Sequence, residues 1–295
     1  MPELPEVETV KNGLQRLIVG KIVADVHFDW PKGFPNTSAD VDQFLIGAKI
    51  AQVRRRAKVL LIDLSSSYTL VCHLKMTGQM VYRTAIGGKK KSPSKNQDFG
   101  AGHPNDSLIG ELPDKSTRVI ITFKDDSKLF FNDQRKFGWM RLLPTAQVPE
   151  LDFFKKVGPE PLSGDFTAEV LHKRLQKRKN SSIKAALLDQ TVLAGIGNIY
   201  ADESLWGAKI HPATLVKNVT KVQTKLLHKQ IQYVLKLAIQ KGGSTNKNYV
   251  NAEGKKGSYM SFAKVFRRQD QPCPRCNTII HKSRVAGRGT HTCPK

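Results

Sequence analysis

Between Pro144 and Pro161 the hydrophobic pattern of this chain changes period, and that change limits what the chain can fold into. Before it, apolar and polar residues alternate over short runs at 22–28, 49–56, 59–64, 69–74, 80–83, 118–123 and 128–132. Such runs read as strands, and Ser65-Ser66-Ser67 and Asp125-Asp126 supply turns between them. Many short strands at this spacing predict a β-sandwich. One helix precedes them, over 6–18, where Val7, Val10, Leu14, Leu17 and Ile18 recur at helical spacing and Gly20 closes the segment. Beyond the proline-punctuated linker the pattern turns helical, at 167–176, 182–188, 198–206 and 219–240. A single core does not serve both patterns. The chain therefore reads as α+β and multidomain: a β-sandwich with an N-terminal helix over 1–145, a helical domain over 146–243, and a third segment over 244–295 made of a polar loop and a basic, cysteine-bearing tail. Inside the first domain, residues 84–116 break the strand rhythm with Gly87-Gly88-Lys89-Lys90-Lys91 and Ser/Pro/Asn-rich sequence, and a mobile loop insertion is expected there.

Charge narrows the partners. The chain has 48 Lys and Arg against 25 Asp and Glu, a formal +23, which a polyanion would neutralise. The excess lies mainly in the second half: residues 151–295 hold 26 basic and 9 acidic side chains, residues 1–150 hold 22 and 16. Nucleic acid is the expected partner. No apolar run approaches the roughly 18 residues of a membrane span. The proline-rich, acidic N-terminus does not read as a signal peptide, so the cytoplasm is the expected compartment.

Three of the four cysteines lie near the C-terminus. Cys273-Pro274-Arg275-Cys276 is followed by Cys293 at a spacing typical of a zinc ribbon, in which each C-x₂-C knuckle offers two thiolates to one tetrahedral ion. One structural Zn²⁺ is expected, with a fourth ligand missing from this chain. His281, His291 or water are the alternatives for that position, and a metal-free tail is the bland one. A ribbon this small has little core, so the metal would supply most of its folding energy. Lys282, Arg284 and Arg288 lie between the knuckles, where they would form a phosphate-binding tip.

The first six residues, Met1-Pro2-Glu3-Leu4-Pro5-Glu6, carry two readings. Prolines and acids suit a first helical turn. Alternatively, once Met1 is removed, Pro2 exposes a secondary amine whose α-amino pKa of about 7.7–8 leaves a nucleophilic fraction at neutral pH. Such an amine would attack a sugar C1′ and form an iminium, with Glu3 trading protons. Ala194-Gly195-Ile196-Gly197-Asn198 precedes a helix and suits either a tight turn or close approach to a phosphate. The run Arg54-Arg55-Arg56-Ala57-Lys58 reads first as a solvated basic edge. Met76 and Phe137 stand at turns beside cations; core residues are the ordinary reading, and a wedge that fills the gap left by an extruded base is the other.

Taken together these segments resemble the formamidopyrimidine-DNA glycosylase family, nearly end to end. The likeness rests on Pro2-Glu3-Leu4-Pro5-Glu6-Val7-Glu8-Thr9, Arg56-Ala57-Lys58, His73-Leu74-Lys75-Met76-Thr77-Gly78, Arg135-Lys136-Phe137-Gly138, Gly195-Ile196-Gly197-Asn198-Ile199-Tyr200-Ala201-Asp202-Glu203, and the cysteine tail with Gly287-Arg288-Gly289-Thr290-His291. The resemblance implies that 146–243 is a helix-two-turn-helix domain and that 244–295 carries a lesion-recognition loop and a C-terminal zinc-finger β-hairpin. It implies a bifunctional, monomeric glycosylase and abasic-site lyase of bacterial base excision repair, associated with the nucleoid. Its partner would be damaged double-stranded DNA, bound in the cleft between domains, and its substrates 8-oxoguanine and formamidopyrimidines. Pro2 would be the nucleophile and Glu3 the acid/base, with Glu6 and Lys58 also in the catalytic set. Lys58, Asn198 and Arg288 would contact phosphates, and His73 and Lys247 would be further DNA contacts. Met76, Arg135 and Phe137 would fill the gap and probe the orphaned cytosine. Four departures stand out: Lys75 occupies a position where the family often has glycine, the 84–116 segment is longer than expected, the fourth cysteine is absent, which matters most because it bears on the placement of Arg288, and Met1 is retained, which leaves the Pro2 nitrogen an amide. Two other functions compete with this one. The first is an endonuclease VIII-like enzyme for oxidised pyrimidines. The second is a noncatalytic nucleic-acid-binding protein, against which the Pro2-Glu3 start argues.

Overall fold

The computed structural model describes residues 1–85, 98–103, 106–108, 110–244 and 258–295, which divide into two compact units. The first unit comprises Met1–Lys155 and Gly242–Gly257, the second Lys156–Lys241 and Ser258–Lys295. The helical segment and the cysteine tail lie within one compact unit, and the helix-ending glycines Gly242 and Gly243 go with the sandwich.

The first unit begins with α1 (Leu4–Leu17) and β1 (Val23–Phe28), followed by a short helix α2 (Ser38–Asp40) that continues as a wider turn through Val41–Leu45. Strands β2 (Ile50–Arg56), β3 (Val59–Leu64), β4 (Tyr68–His73), β5 (Gly78–Arg83), β6 (Phe99–Gly102), β7 (Thr117–Phe123), β8 (Lys128–Asp133) and β9 (Trp139–Pro144) complete two antiparallel sheets. Their orders are β1-β7-β8-β5-β6 and β2-β3-β4-β9. Alternation places Leu60, Ile62, Leu70 and Cys72 of one sheet, and Met80, Val119, Ile121 and Phe131 of the other, in a shared core with Val7, Val10 and Leu14 of α1.

Two strands depart from the sequence expectation. β9 pairs with β4 along its length, from His73↔Trp139 to Tyr68↔Pro144. As an edge strand it tolerates the proline that makes it look like linker. β6 lies inside the stretch expected to be a mobile loop and pairs with β5. Phe99 holds it down: the ring is 1 % exposed and rests on α1 where Gly13 leaves room, since a Cβ at Gly13 would come within 2.1 Å of Phe99 Cζ. The loop reading therefore fails for residues 99–102, because one buried aromatic outweighs the Gly/Ser/Pro composition around it.

The linker contains α3 (Asp152–Lys156). The second unit holds α4 (Ala168–Gln176), α5 (Ile183–Leu188), α6 (Asn198–Gly207) and α7 (Lys221–Gln240), then a hairpin of β10 (His281–Val285) and β11 (Arg288–Thr292). Thr167, Ser182 and Thr220 cap α4, α5 and α7 with their hydroxyls. Leu227, Ile231, Val234, Leu235 and Ala238 bury the stripe of α7. Among the described residues no helix is long and apolar enough to cross a membrane.

Candidate active site and nucleic-acid interface

Both readings of the N-terminus meet in one geometry. Glu3 is the N-cap of α1 and Glu6 its third residue; Glu6 Oε2 accepts the Glu3 N–H at 2.9 Å, as in a capping box. The other oxygen of Glu6 accepts the Ser244 N–H at 2.7 Å. Gly243, at φ +82, lies against the same carboxylate, and a Cβ there would approach Glu6 Oε1 to 2.9 Å. Glu6 thus joins the helix start to the segment after Gly242. Pro2, Glu3 and Glu6 are all buried, whereas Met1 is half exposed. With Met1 in place the Pro2 nitrogen is a tertiary amide and has no nucleophilic lone pair. The N-terminal ammonium is close enough to help lower the pKa of His103, an effect in which burial is the largest cause.

Lys58 is buried at the β2–β3 turn, beside Ala57 in the left-handed region. The register sets Val59 opposite His73, so Lys58 and His73 share one end of the sheet. Burial, with help from Lys75 and Lys58, pushes the His73 pKa down to about 3. Its Nδ1 accepts the Lys75 N–H at 2.9 Å, which leaves the proton on Nε2. His73 is therefore a neutral N–H donor at physiological pH. The neighbouring arginines are not a solvated edge: Arg54 makes two bonds to Asp63, at 2.5 and 2.8 Å, and Arg55 pairs with Glu8 at 2.7 Å. Of the run, those two cations are committed to folding.

Met76 and Phe137 are not core. They are 37 % and 53 % exposed, on the turns after β4 and β8. The exposed Arg135 stacks its guanidinium 4.8 Å from the centre of the Phe137 ring. Lys75 at φ 48 and Lys136 at φ 56 turn the chain tightly in both places, so the departure from glycine at 75 puts a lysine into a left-handed conformation. Beneath both turns lies Asp133, 1 % exposed, which sequence reasoning missed. Its one available signal is an acid closing a strand just before a basic turn.

In the second unit, Gly195 at φ +79 makes the turn before α6. The Gln190 side chain clamps it, accepting from Gly195 N and donating to Ile196 O, both at 2.9 Å. Asn198 starts α6, and its amide donates to Gly289 O at 2.9 Å. That contact ties the helix start to β11, a use of the amide not expected from sequence. Fully buried Lys184 pairs with Asp202 at 2.6 Å and donates to Thr290 Oγ1 at 2.8 Å and Gly289 O at 3.0 Å. Asp202 also accepts the His291 N–H at 2.9 Å. Glu203 accepts three backbone N–H groups, from Lys264, Val265 and Phe266, at 2.8–2.9 Å. Arg288 is exposed beside the Ala286-Gly287 turn, whose two positive φ values give the tight type I′ form. Lys247 lies outside the described residues.

The Sγ atoms of Cys273, Cys276 and Cys293 all lie within 4.8 Å of one another. Thiolates on a tetrahedral zinc, with Zn–S of about 2.3 Å, sit about 3.8 Å apart, so the set fits one structural ion. Hydrogen bonds from Thr278 bring the Cys276 thiol down to about 6, which favours the ligating thiolate. Among the described residues neither His281 nor His291 joins the group. The His291 ring packs instead against Phe266, with centroids 4.8 Å apart.

A β-sandwich with a buried N-terminal proline, a helical module and a cysteine hairpin defines a class of DNA-repair glycosylase, and the comparisons agree. Residues 1–140 match the formamidopyrimidine-DNA glycosylase N-terminal domain, 157–249 its H2TH domain, and 270–295 the zinc finger found in FPG and IleRS. Formamidopyrimidine-DNA glycosylases of Pediococcus pentosaceus and Bacillus licheniformis are each 41 % identical, over 100 % of this chain and 98 % of theirs. A crystal structure of the Lactococcus lactis enzyme with abasic-site DNA aligns at TM-score 0.84 and 33 % identity, covering 99 % of this chain and 98 % of that one. A complex of a point mutant of the same enzyme with Fapy-dG DNA aligns equally well. The chain belongs to the formamidopyrimidine-DNA glycosylase family.

Proposed function

We propose that this chain, once Met1 is removed, excises oxidised purines such as 8-oxoguanine and formamidopyrimidines from duplex DNA and then cuts the strand. The observation that carries the reading is the buried Pro2-Glu3 start, held by Glu6, in the same unit as the exposed Met76, Arg135 and Phe137 tips. The free Pro2 amine attacks C1′ of the extruded nucleotide. The N–C1′ bond forms, the glycosidic bond breaks, and the base leaves with the electron pair and takes up a proton. Glu3 takes the proton that the Pro2 nitrogen sheds on bonding to C1′ and delivers it to O4′ as the nitrogen lone pair opens the sugar ring to an iminium. Loss of a 2′-proton then expels the 3′ phosphate, and a second elimination expels the 5′ phosphate. Lys58 and neutral His73 meet phosphates in the first unit, Asn198 and Arg288 in the second. Met76 and Phe137 fill the gap that the extruded base leaves, and Arg135 donates to the acceptor edge of the orphaned cytosine. Bound zinc would fix the cysteine knuckle and take no part in the chemistry. The setting is the bacterial cytoplasm, with the protein a monomer on DNA.

Borohydride trapping on an 8-oxoguanine:cytosine duplex is expected to yield a covalent adduct whose mass places the DNA on Pro2 and reports loss of Met1. Glu3→Gln should abolish base excision; normal excision by that variant overturns the acid/base role. Preference for a thymine glycol duplex would reassign the substrate to oxidised pyrimidines. Tight binding with no cleavage at an abasic site would reduce the chain to a binding protein.

A further inference from the structure

The two turns that carry Met76, Arg135 and Phe137 project beyond the last rung of the β5–β8 ladder, which pairs Gly78 with Asp133. Among the described residues no strand pairing beyond that rung fixes their shape, yet Arg135 and Phe137 hold a defined stack. The buried Asp133 carboxylate supplies what the ladder does not. Oδ1 accepts the Thr77 hydroxyl and, at 3.2 Å, the Arg135 N–H. Oδ2 accepts the Gly138 N–H at 2.6 Å. Thr77 Oγ1 accepts the same Arg135 N–H at 3.1 Å. Thr77 follows Met76 directly, so one buried hydroxyl–carboxylate contact joins the Met76 turn to the Arg135–Phe137 turn. The backbone of Asp133 is held in its turn: its N–H donates to Ser116 O at 2.7 Å, and its carbonyl accepts from Arg118 Nε at 3.0 Å. Space is equally tight, since a Cβ at Gly138 would meet Phe131 Cζ at 2.7 Å and Asp133 Oδ2 at 3.1 Å.

We infer that Asp133, acting through Thr77, is the positioning residue that fixes Met76, Arg135 and Phe137 as a single rigid probe and so sets discrimination of the base opposite the lesion. The inference rests on the probing role given above to those three residues. Asp133 itself is buried and touches no base. A carboxylate suits the place because it only accepts, and Thr77, Arg135 and Gly138 all donate to it. Asn would turn an N–H₂ group towards one of those donors whichever way it sat. A wobbling Arg135 loses the fixed angle that a two-acceptor base edge requires, and one such contact is worth about tenfold or more in selectivity.

The test measures kcat/KM on 8-oxoguanine opposite cytosine and opposite adenine for the Asp133→Asn, Thr77→Val, Thr77→Ser and Arg135→Ala proteins, with strand scission at a preformed abasic site in single-stranded DNA as the reference. Asp133→Asn and Thr77→Val are expected to lower the cytosine/adenine ratio by about tenfold, mainly through KM. Their scission of the single-stranded site should stay near wild type. Thr77→Ser, which keeps the hydroxyl, should restore the ratio even if Asp133→Asn folds poorly. If Arg135→Ala loses discrimination while Asp133→Asn and Thr77→Val keep it, the inference is overturned and the probing role stands. If Arg135→Ala keeps discrimination, the probing role itself falls and takes the inference with it.

Discussion

His73 illustrates how burial, rather than residue type, sets a side chain's chemistry here. An exposed histidine beside a basic run would be a pH-sensitive cation. This one has its pKa held near 3 by burial, Lys75 and Lys58. The unfolded chain therefore takes up the proton first, near the ordinary value of about 6.5. Stability from this group is complete above that pH and is lost as pH falls from about 6.5 towards 3, at up to about 1.4 kcal/mol per pH unit. His73→Gln should flatten that part of the denaturant-unfolding profile relative to wild type; an unchanged slope would contradict the neutral, buried assignment. Across pH 6–8 the variant's DNA affinity should change by the same factor at each pH, because His73 contributes an N–H donor and no titrating charge.

At the scale of elements, β11 is held in its unit by hydrogen bonds with α5 and α6 that centre on the buried Lys184–Asp202 pair. Three helical residues, Lys184, Asn198 and Asp202, bond to successive parts of β11, and Glu203 caps the segment 264–266. Replacing one member of a buried pair leaves the other charge uncompensated, typically at a cost of about 3–5 kcal/mol. Lys184→Met should therefore lower the melting temperature of the second unit sharply. A Lys184→Met/Asp202→Leu double variant should recover much of the loss, since neither charge is then stranded. Failure of the double variant to recover would mean that the Thr290 and Gly289 bonds, not the ion pair, carry the anchoring.

At the scale of the molecule, two units with different cores predict separable responses to metal removal. Trp206 reports on the cysteine site: its indole N–H lies 3.4 Å from Cys273 Sγ, and Arg275 stacks 4.1 Å from its ring centre. Treatment with a strong chelator should change tryptophan fluorescence, and Trp206→Phe should abolish most of that change. Melting of the sandwich should be unaffected. Its core draws on α1 and two sheets, none of which involves the cysteines of the tail. A fall in the stability of both units together would contradict this separation.

Much of this was legible from residue order alone. Alternation and helical spacing give local structure directly, so most strands, α1 and the helices of the second unit lie where the pattern puts them. The motifs from Pro2-Glu3 to the cysteine tail carry the family resemblance because they are contiguous in sequence. Other features were decided only when distant segments met. Phe99 makes a strand inside an apparent loop because it finds Gly13. Arg54 and Arg55 leave the basic edge because Asp63 and Glu8 reach them. Asp133 gains its place from Thr77, 56 residues away, and Glu6 from Ser244. A side chain's local propensity is written in its neighbours along the chain. Its burial, its protonation and its hydrogen-bond partners depend on neighbours in space, which only the folded structure supplies.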